Sequence, residues 1–344
     1  MKVALFNTMT PFVRGGAEIL VDDLLEQLRL RGHEADLYRI PFPSNFEVPL
    51  LKTVLAASML RFDDYDRVIA FKFPAYSTSH PNKVMWIFHQ FRQVYELYDK
   101  QYGIVDSDIG KAIKKVITDI DNNIIPRSRH IYTNALEVSN RLWTYNQIQT
   151  EVLNPPLLNV EDYYCGKTGD YIYYPSRITE LKRQHLAIEA MQYVKSNVKL
   201  IISGKCDEDY YYAKLEDIIK VNKLQDKVQI ENRWISDKEK IDYLANSLAV
   251  MYIPYKEDSC GFVTMEGFYS TKPVLSCRDS GGTVEFIEDE KTGFFAEPNP
   301  KDIAKKMDQF FLNKEATVEM GKNALDEIVR RNITWDETIR RLLQ

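Results

Sequence analysis

Seven residues separate two carboxylates, Asp258 and Glu266, and Gly261 lies between them. The apolar run at 248–254 reads as a buried strand, and 273–277 as a short return strand. The pair therefore flanks the turn between a strand's carboxyl end and the start of a helix. In open α/β sheets ligands bind at that end, near the point where the strand order reverses. A helix N-terminus offers N–H groups and the positive end of its dipole to an anion such as phosphate. An ionised carboxylate only accepts hydrogen bonds, so two of them there suit a hydroxyl-rich ligand.

Other loops carry chemistry too. Tyr174-Pro-Ser-Arg-Ile-Thr-Glu-Leu-Lys-Arg places Arg177 and Lys182 after a strand and before a helix. A guanidinium fork and an ammonium point charge can neutralise a diphosphate. The plain alternative is a solvated basic loop, and Arg183 reads as only that. Arg14-Gly-Gly-Ala-Glu follows the first strand. There Gly15 and Gly16 let the backbone approach a ligand, or merely make a tight turn. This is not GxGxxG, so the fingerprint of a nicotinamide oxidoreductase is absent. Arg278-Asp-Ser-Gly-Gly-Thr is a further Gly-rich loop, with Asp279 or Ser280 available to cap a helix. Acidic pairs at Asp64/Asp66, Asp106/Asp108, Asp119/Asp121 and Asp207/Asp209 invite a metal reading. None sits on a phosphate loop, and Arg177 and Lys182 can supply the positive charge, so no metal is expected. A nucleotide-sugar epimerase would need an acid/base set of its own, which does not stand out.

These loops need a scaffold. A strand at 2–7, a helix at 16–31 with Leu20, Leu24 and Leu28 on one face, and strands at 35–38, 67–71, 84–88 and 130–133 open the chain. The Pro- and Gly-rich segment 152–169 reads as a linker. Strands at 171–174, 199–203, 228–231 and 248–252 then alternate with helices at 183–191, 212–222 and 238–246, and 301–344 is helical. Such alternation indicates βαβ units and parallel sheets. The expected fold is α/β, with two Rossmann-like parallel-sheet domains facing a cleft. Domain one is 1–160 joined by 329–344; domain two is 166–328. Thr334, three residues before Glu337, caps a last helix whose apolar face is Trp335, Ile339 and Leu342 or Leu343.

A length of 344 residues allows two domains. A net charge of -5 argues against a nucleic-acid partner. Cys165, Cys206, Cys260 and Cys277 are scattered without a CxxC, which fits a reduced, cytoplasmic protein without a zinc site. No apolar run reaches transmembrane length, and the N-terminus reads as a strand, not a signal peptide. The segment 109–125 sets Lys111, Lys114 and Lys115 among apolar residues, as a helix resting on a membrane would. A solvated face is the commoner explanation, and Asp119 and Asp121 interrupt the pattern.

In order, the chain shows Gly-Gly-Ala-Glu at 15–18, Ser-Arg and Lys within 176–182, Ser-Gly-Lys at 203–205 and Arg-Trp-Ile-Ser at 233–236. The carboxylates at 258 and 266, Ser-Gly-Gly-Thr at 280–283 and Lys-Thr-Gly-Phe at 291–294 follow. Together these resemble the GT-B retaining glycosyltransferases of family four, the group 1 enzymes, over nearly the whole chain. The resemblance implies metal-independent transfer from a UDP- or GDP-linked sugar to a glycan, lipid-linked or small-molecule acceptor, in cell-surface polysaccharide or glycoconjugate synthesis. No cofactor beyond that co-substrate is implied, and the location is cytoplasmic or peripheral at the inner membrane face. The last helix would cross back to the first domain, whose aromatic-rich stretch 71–102 would serve the acceptor.

The resemblance also implies roles. Gly15 and Gly16 would approach the diphosphate, and Arg177 and Lys182 would hold it and stabilise the leaving charge. His89 would face the donor sugar. Asp258, with the amides around Gly261, Phe262 and Val263, would bind sugar and phosphate. Glu266 would take the ribose hydroxyls, and the backbone at Trp234 and Ile235 would face the base. One departure stands out: Asp258 replaces the family's first Glu, with Glu257 adjacent but off register. It keeps open a second class, a non-catalytic GT-B partner subunit that binds a nucleotide sugar.

Overall fold

The computed structural model describes residues 1–11, 15–42, 47–100, 103–206, 208–257 and 260–344, with the backbone alone at 47–49. The chain forms two compact units, Met1–Pro156 with Ile333–Gln344, and Leu157–Asn332. Asp258 and Asp207 lie outside the described residues.

Unit 1 runs β1 (Lys2–Met9), α1 (Gly16–Leu30), β2 (Glu34–Pro41), α2 (Glu47–Met59), β3 (Arg67–Lys72), β4 (Lys83–His89), α3 (Asp108–Ile124), β5 (His130–Thr133), α4 (Leu136–Asn146) and β6 (Glu151–Val152). The strands pair in parallel in the order β2-β1-β3-β4-β5-β6. β1 is buried from Val3 to Thr8, the continuous apolar run of a strand covered on both faces. The order reverses between β1 and β3, so the loops after those two strands frame the switch point.

Much of the aromatic stretch 71–102 is core. Phe73, Tyr76, Phe91 and Tyr95 cluster with Ile113 and Ile117 of α3, and Trp86 donates its indole N–H to the Leu153 carbonyl at 2.8 Å. Asp121 is not on the solvated face of α3: it is 0 % exposed. Tyr76 and Tyr95 each donate a hydroxyl to it at 2.7 Å. Burial pushes its carboxyl up to about 6 against the pull of those hydroxyls. The basic face of α3 is locally engaged, with Lys115 on Asp119 at 2.6 Å and Lys114 over the Tyr98 ring at 4.0 Å.

Unit 2 runs β7 (Tyr171–Pro175), α5 (Gln184–Ala190), β8 (Lys199–Ser203), α6 (Asp209–Val221), β9 (Val228–Glu231), α7 (Asp237–Asn246), β10 (Ala249–Met251), α8 (Phe262–Tyr269), β11 (Val274–Cys277), β12 (Gly293–Ala296), α9 (Pro300–Leu312) and α10 (Lys314–Arg330). Its strands, also parallel, lie in the order β12-β11-β10-β7-β8-β9, and the reversal falls between β7 and β10.

α11 (Trp335–Leu342) belongs to unit 1. Position 329 lies inside the last turn of α10, so unit 2 continues to Asn332. The Thr334 hydroxyl accepts from the Glu337 N–H at 3.3 Å, and Trp335, Ile339 and Leu342 are buried. Each such side chain contributes on the order of 1.5–3 kcal/mol. At the other end the buried Arg67 guanidinium donates to the carbonyls of Leu342, Leu343 and Gln344 at 3.1, 3.3 and 2.8 Å, and so satisfies groups a helix terminus leaves unpaired. Among the described residues, no helix is long and apolar enough to cross a membrane.

Candidate functional site

At the switch point of unit 2 the loop after β7 meets the loop after β10. Lys182 donates to the Tyr252 hydroxyl at 2.7 Å and to the Glu257 carboxylate. Glu257 is therefore the described carboxylate at Lys182, and its neighbour's family register does not keep it away. Tyr252, at the end of β10, is the electrostatic meeting point: Glu257, Arg177 and Glu266 all act on its hydroxyl, and burial holds it well above the usual phenol range. Arg177 is exposed, and its guanidinium makes no hydrogen bond among the described residues.

Arg183 is not a solvated cation. It adopts a left-handed conformation, φ 57°, and its guanidinium grips both oxygens of Asp279 at 2.9 and 2.8 Å. It also donates to the carbonyls of Ile253 and Pro254, each at 2.7 Å. One side chain thus ties the loops after β7, β10 and β11 together, with the bidentate geometry that suits arginine. Asp279 serves that clamp, and Ser280 accepts from the Cys277 N–H, so neither caps a helix.

The Ser-Gly-Gly-Thr loop supports the 255–257 segment. The amides of Lys256 and Glu257 donate to the carbonyls of Asp279 and Ser280 at 3.0 and 3.1 Å, and Gly282 donates back to Glu257 at 2.9 Å. Gly281 has φ +70°, and a Cβ there would meet the Glu257 carbonyl at 2.3 Å, so only glycine lets the loops close. Gly261 has φ +76° and a Cβ would meet Thr283 at 3.0 Å. It starts α8, whose first residues are Phe262 and Val263, without a side-chain cap.

Glu266, in the middle of α8, is 7 % exposed. Its Oε1 accepts from Lys240 of α7 at 2.7 Å and from the Tyr163 hydroxyl at 3.5 Å. Trp234 and Ile235 lie in the loop between β9 and α7; Trp234 is 73 % exposed and Ser236 caps α7 through the Glu239 N–H.

In unit 1 the loop after β1 faces the end of β3. The Gly15 N–H donates to Glu18 Oε2 at 3.1 Å, and Lys72 donates to Glu18 Oε1 at 2.7 Å. Burial raises the Glu18 carboxyl, but the Lys72 ammonium and the backbone N–H groups outweigh it, and the net shift is downward. Gly16 is the first residue of α1. His89 ends β4 in register with Lys72, and its Nδ1 donates to the Gln90 carbonyl at 2.8 Å. Unit 1 thus sets Gly15, Glu18, Lys72 and His89 at the carboxyl ends of its central strands, and unit 2 sets Arg177, Lys182, Tyr252, Glu257 and Glu266 about the same end of its own sheet.

The sequence reading overlooked Tyr252, Lys240, Tyr163 and Lys72, and gave Glu257 and Arg183 no place in the site. Both lie on strand-end loops, Arg183 after β7 and Glu257 after β10, and that placement was the available signal. Lys240 lies on a helix face, where nothing local distinguishes it.

The sequence model of the family described as glycosyl transferases group 1 matches residues 165–327. An uncharacterised glycosyltransferase of Methanocaldococcus jannaschii is 25 % identical over 67 % of this chain and 60 % of its own length. The human alpha-1,3/1,6-mannosyltransferase is 30 % identical over 42 % of this chain and 38 % of its own. The chain thus spans less than two thirds of the length of the curated relatives it matches. Among solved structures, Anabaena HepE in complex with UDP and glucose superposes with a TM-score of 0.73 at 16 % identity, over 100 % of this chain and 98 % of that one. Sucrose-phosphate synthase from Thermosynechococcus elongatus gives 0.79 at 15 % identity, over 99 % of this chain and 97 % of its own. The fold is that of the GT-B proteins.

Proposed function

We propose that the chain, whose residues 165–327 match the sequence model of the glycosyl transferases group 1 family, is a retaining, metal-independent glycosyltransferase that takes its sugar from a nucleoside diphosphate sugar. The observation that carries this reading is the cluster at the unit 2 switch point. There Lys182, Arg177 and Glu266 surround one hydroxyl, Tyr252, at the carboxyl ends of parallel strands.

Lys182 and Arg177 meet the leaving diphosphate, and the start of α8 at Gly261, Phe262 and Val263 adds its amides and dipole. Lys182 already holds an anion, Glu257. Donor binding exchanges that carboxylate for the diphosphate, so the ammonium is held in place beforehand and reorganises little in the transition state. Glu266 accepts from the ribose hydroxyls, Trp234 and Ile235 present the base-facing loop, and Asp258 is assigned to the sugar. In unit 1, His89, Gly15 and Gly16 mark the ligand-facing edge of an acceptor-binding unit. The new bond forms between an acceptor oxygen and the anomeric carbon as the bond from that carbon to the diphosphate oxygen breaks. The acceptor attacks on the face the diphosphate leaves, and its proton passes to the departing phosphate oxygen. The configuration is retained without a protein nucleophile.

The names of the relatives suggest donors to try first: UDP-glucose from HepE and a mannose-bearing nucleotide sugar from the mannosyltransferase. A lipid-linked or glycan acceptor, polysaccharide or glycoconjugate synthesis and a cytoplasmic or membrane-peripheral setting belong to the same proposal. Thermal-shift screening of UDP- and GDP-sugars, followed by hydrolysis and transfer assays with and without EDTA, tests it. A donor that raises the melting temperature and is turned over with retention in EDTA supports the proposal. Binding without turnover under any acceptor favours the non-catalytic partner, and loss of turnover in EDTA removes metal independence.

A further inference from the structure

We infer that Lys240 is a positioning residue for the nucleotide site: it pins one oxygen of Glu266 so that the other is turned to accept from the ribose hydroxyls. The inference rests on the nucleotide reading of unit 2 and adds a residue to it.

The geometry is asymmetric. Lys240 and Tyr163 both address Oε1 of Glu266, at 2.7 and 3.5 Å. Oε2 has no hydrogen-bond partner among the described residues, and it is not one of the fully enclosed orphan atoms. An ionised carboxylate has about four acceptor sites over its two oxygens. Here the donors on α7 and on the 160–163 segment occupy one oxygen and leave the other for a ligand. Left alone, the terminal carboxylate torsion is broad and two-fold. Two donors on one oxygen narrow it before the ligand arrives.

The charge state supports the same role. Burial works against the Lys240 ammonium, but Glu266 and Asp237 outweigh it and its pKa is raised, so it stays a cation at neutral pH. Asp237 is the weaker partner, at 3.4 Å and with its side chain 91 % exposed. Burial and Glu266 together hold Tyr163 far above the usual phenol range, so it remains a donor.

The test is a cycle between protein and ligand. UDP and GDP, and their 2′,3′-dideoxy forms, are titrated by calorimetry into the wild-type chain, Lys240→Met, Lys240→Arg, Glu266→Gln and the chain carrying both Lys240→Met and Glu266→Gln. Whichever base binds is carried through the set. Lys240→Met should weaken the ribonucleotide about ten-fold, the scale of one hydrogen bond to a charged group. It should leave the dideoxy form unchanged. Lys240→Arg should recover most of the loss, and Lys240→Met should add nothing on top of Glu266→Gln. With a working donor, KM should rise and kcat should hold. Equal losses on ribo and dideoxy ligands, or no loss, overturn the role of Lys240 and leave the nucleotide reading standing. If neither UDP nor GDP binds the wild-type chain, the nucleotide reading falls and Lys240's role falls with it. A purely structural salt bridge would lower the melting temperature without separating the two ligands.

Discussion

Each unit sets a lysine–glutamate pair across the point where its strand order reverses, and the two pairs are built differently. In unit 1 the carboxylate comes from the first turn of α1, as Glu18, and the cation from the end of β3, as Lys72. In unit 2 the cation follows β7, as Lys182, and the carboxylate follows β10, as Glu257. Both oxygens of Glu18 are used, one by Lys72 and one by the N–H at its own helix start. That terminus has its negative partner within the chain. In unit 2 α8 starts at Gly261, and Arg177 stands exposed on the β7 loop. Parallel topology alone therefore does not make an anion site. It provides a place for one: in unit 1 Glu18 takes both the helix start and Lys72, and in unit 2 Glu257 takes Lys182 while Arg177 makes no hydrogen bond among the described residues.

The sharpest way to break this contrast is to remove the cations. Lys182→Ala and Arg177→Ala should each lower turnover on the order of a hundred- to a thousand-fold, with the fold intact. Near-normal turnover in either would remove the catalytic half of the comparison. Lys72→Ala should do the opposite. It leaves Glu18 enclosed without its counter-ion and should cost on the order of 3 kcal/mol of unit 1 stability in denaturant titration. Nucleotide affinity should be unchanged. A stable Lys72→Ala chain that loses nucleotide binding would make the two pairs equivalent.

Asp121 extends the contrast, because unit 1 holds a carboxylate deep in its core on two tyrosine hydroxyls. Its folded pKa, about 6, is above the ordinary carboxylate value, so the native chain binds the proton more tightly than the unfolded one. Its contribution is then fully present below about pH 4 and lost as pH rises through about 6, a change on the order of 2–3 kcal/mol. Asp121→Asn should remove that part of the stability–pH curve, and an unchanged curve would show that the carboxyl is not titrating there. The smallest effect belongs to the cap on α11: Thr334→Ala should cost about 1 kcal/mol. That loss should appear as earlier unfolding of unit 1, with nucleotide binding intact; an effect on nucleotide affinity would contradict the assignment of α11 to unit 1.

The sequence showed its strands most clearly where apolar runs were bounded by charge. β5, β8 and β9 lie at the expected residues, His130–Thr133, Lys199–Ser203 and Val228–Glu231. β12 and β6 were not read, since one opens on Gly293 and the other has two residues. α4 was not read because its buried stripe, Val138, Arg141 and Leu142, has only two apolar members. Within the site, the Gly-rich loops were legible because glycine marks close approach, and Gly281 against Glu257 shows why. The ion pairs were not. Lys182 and Glu257 are 75 residues apart in the chain, and the meeting of their loops depends on β7 lying beside β10. Arg183 was misread for the same reason, since the carbonyls and carboxylate it grips come from two other loops.

Exchange of anions at Lys182 is the claim on which the contrast rests, and calorimetry of UDP and GDP binding to Lys182→Ala, Glu257→Gln and Lys72→Ala tests it most directly. Lys182→Ala should weaken binding at least about ten-fold, the scale of one charge-assisted contact. Glu257→Gln, which removes the competing carboxylate, should tighten it several-fold, and Lys72→Ala should leave it unchanged. Unaltered affinity in Lys182→Ala, or weaker binding in Glu257→Gln, would contradict the exchange and place the diphosphate elsewhere.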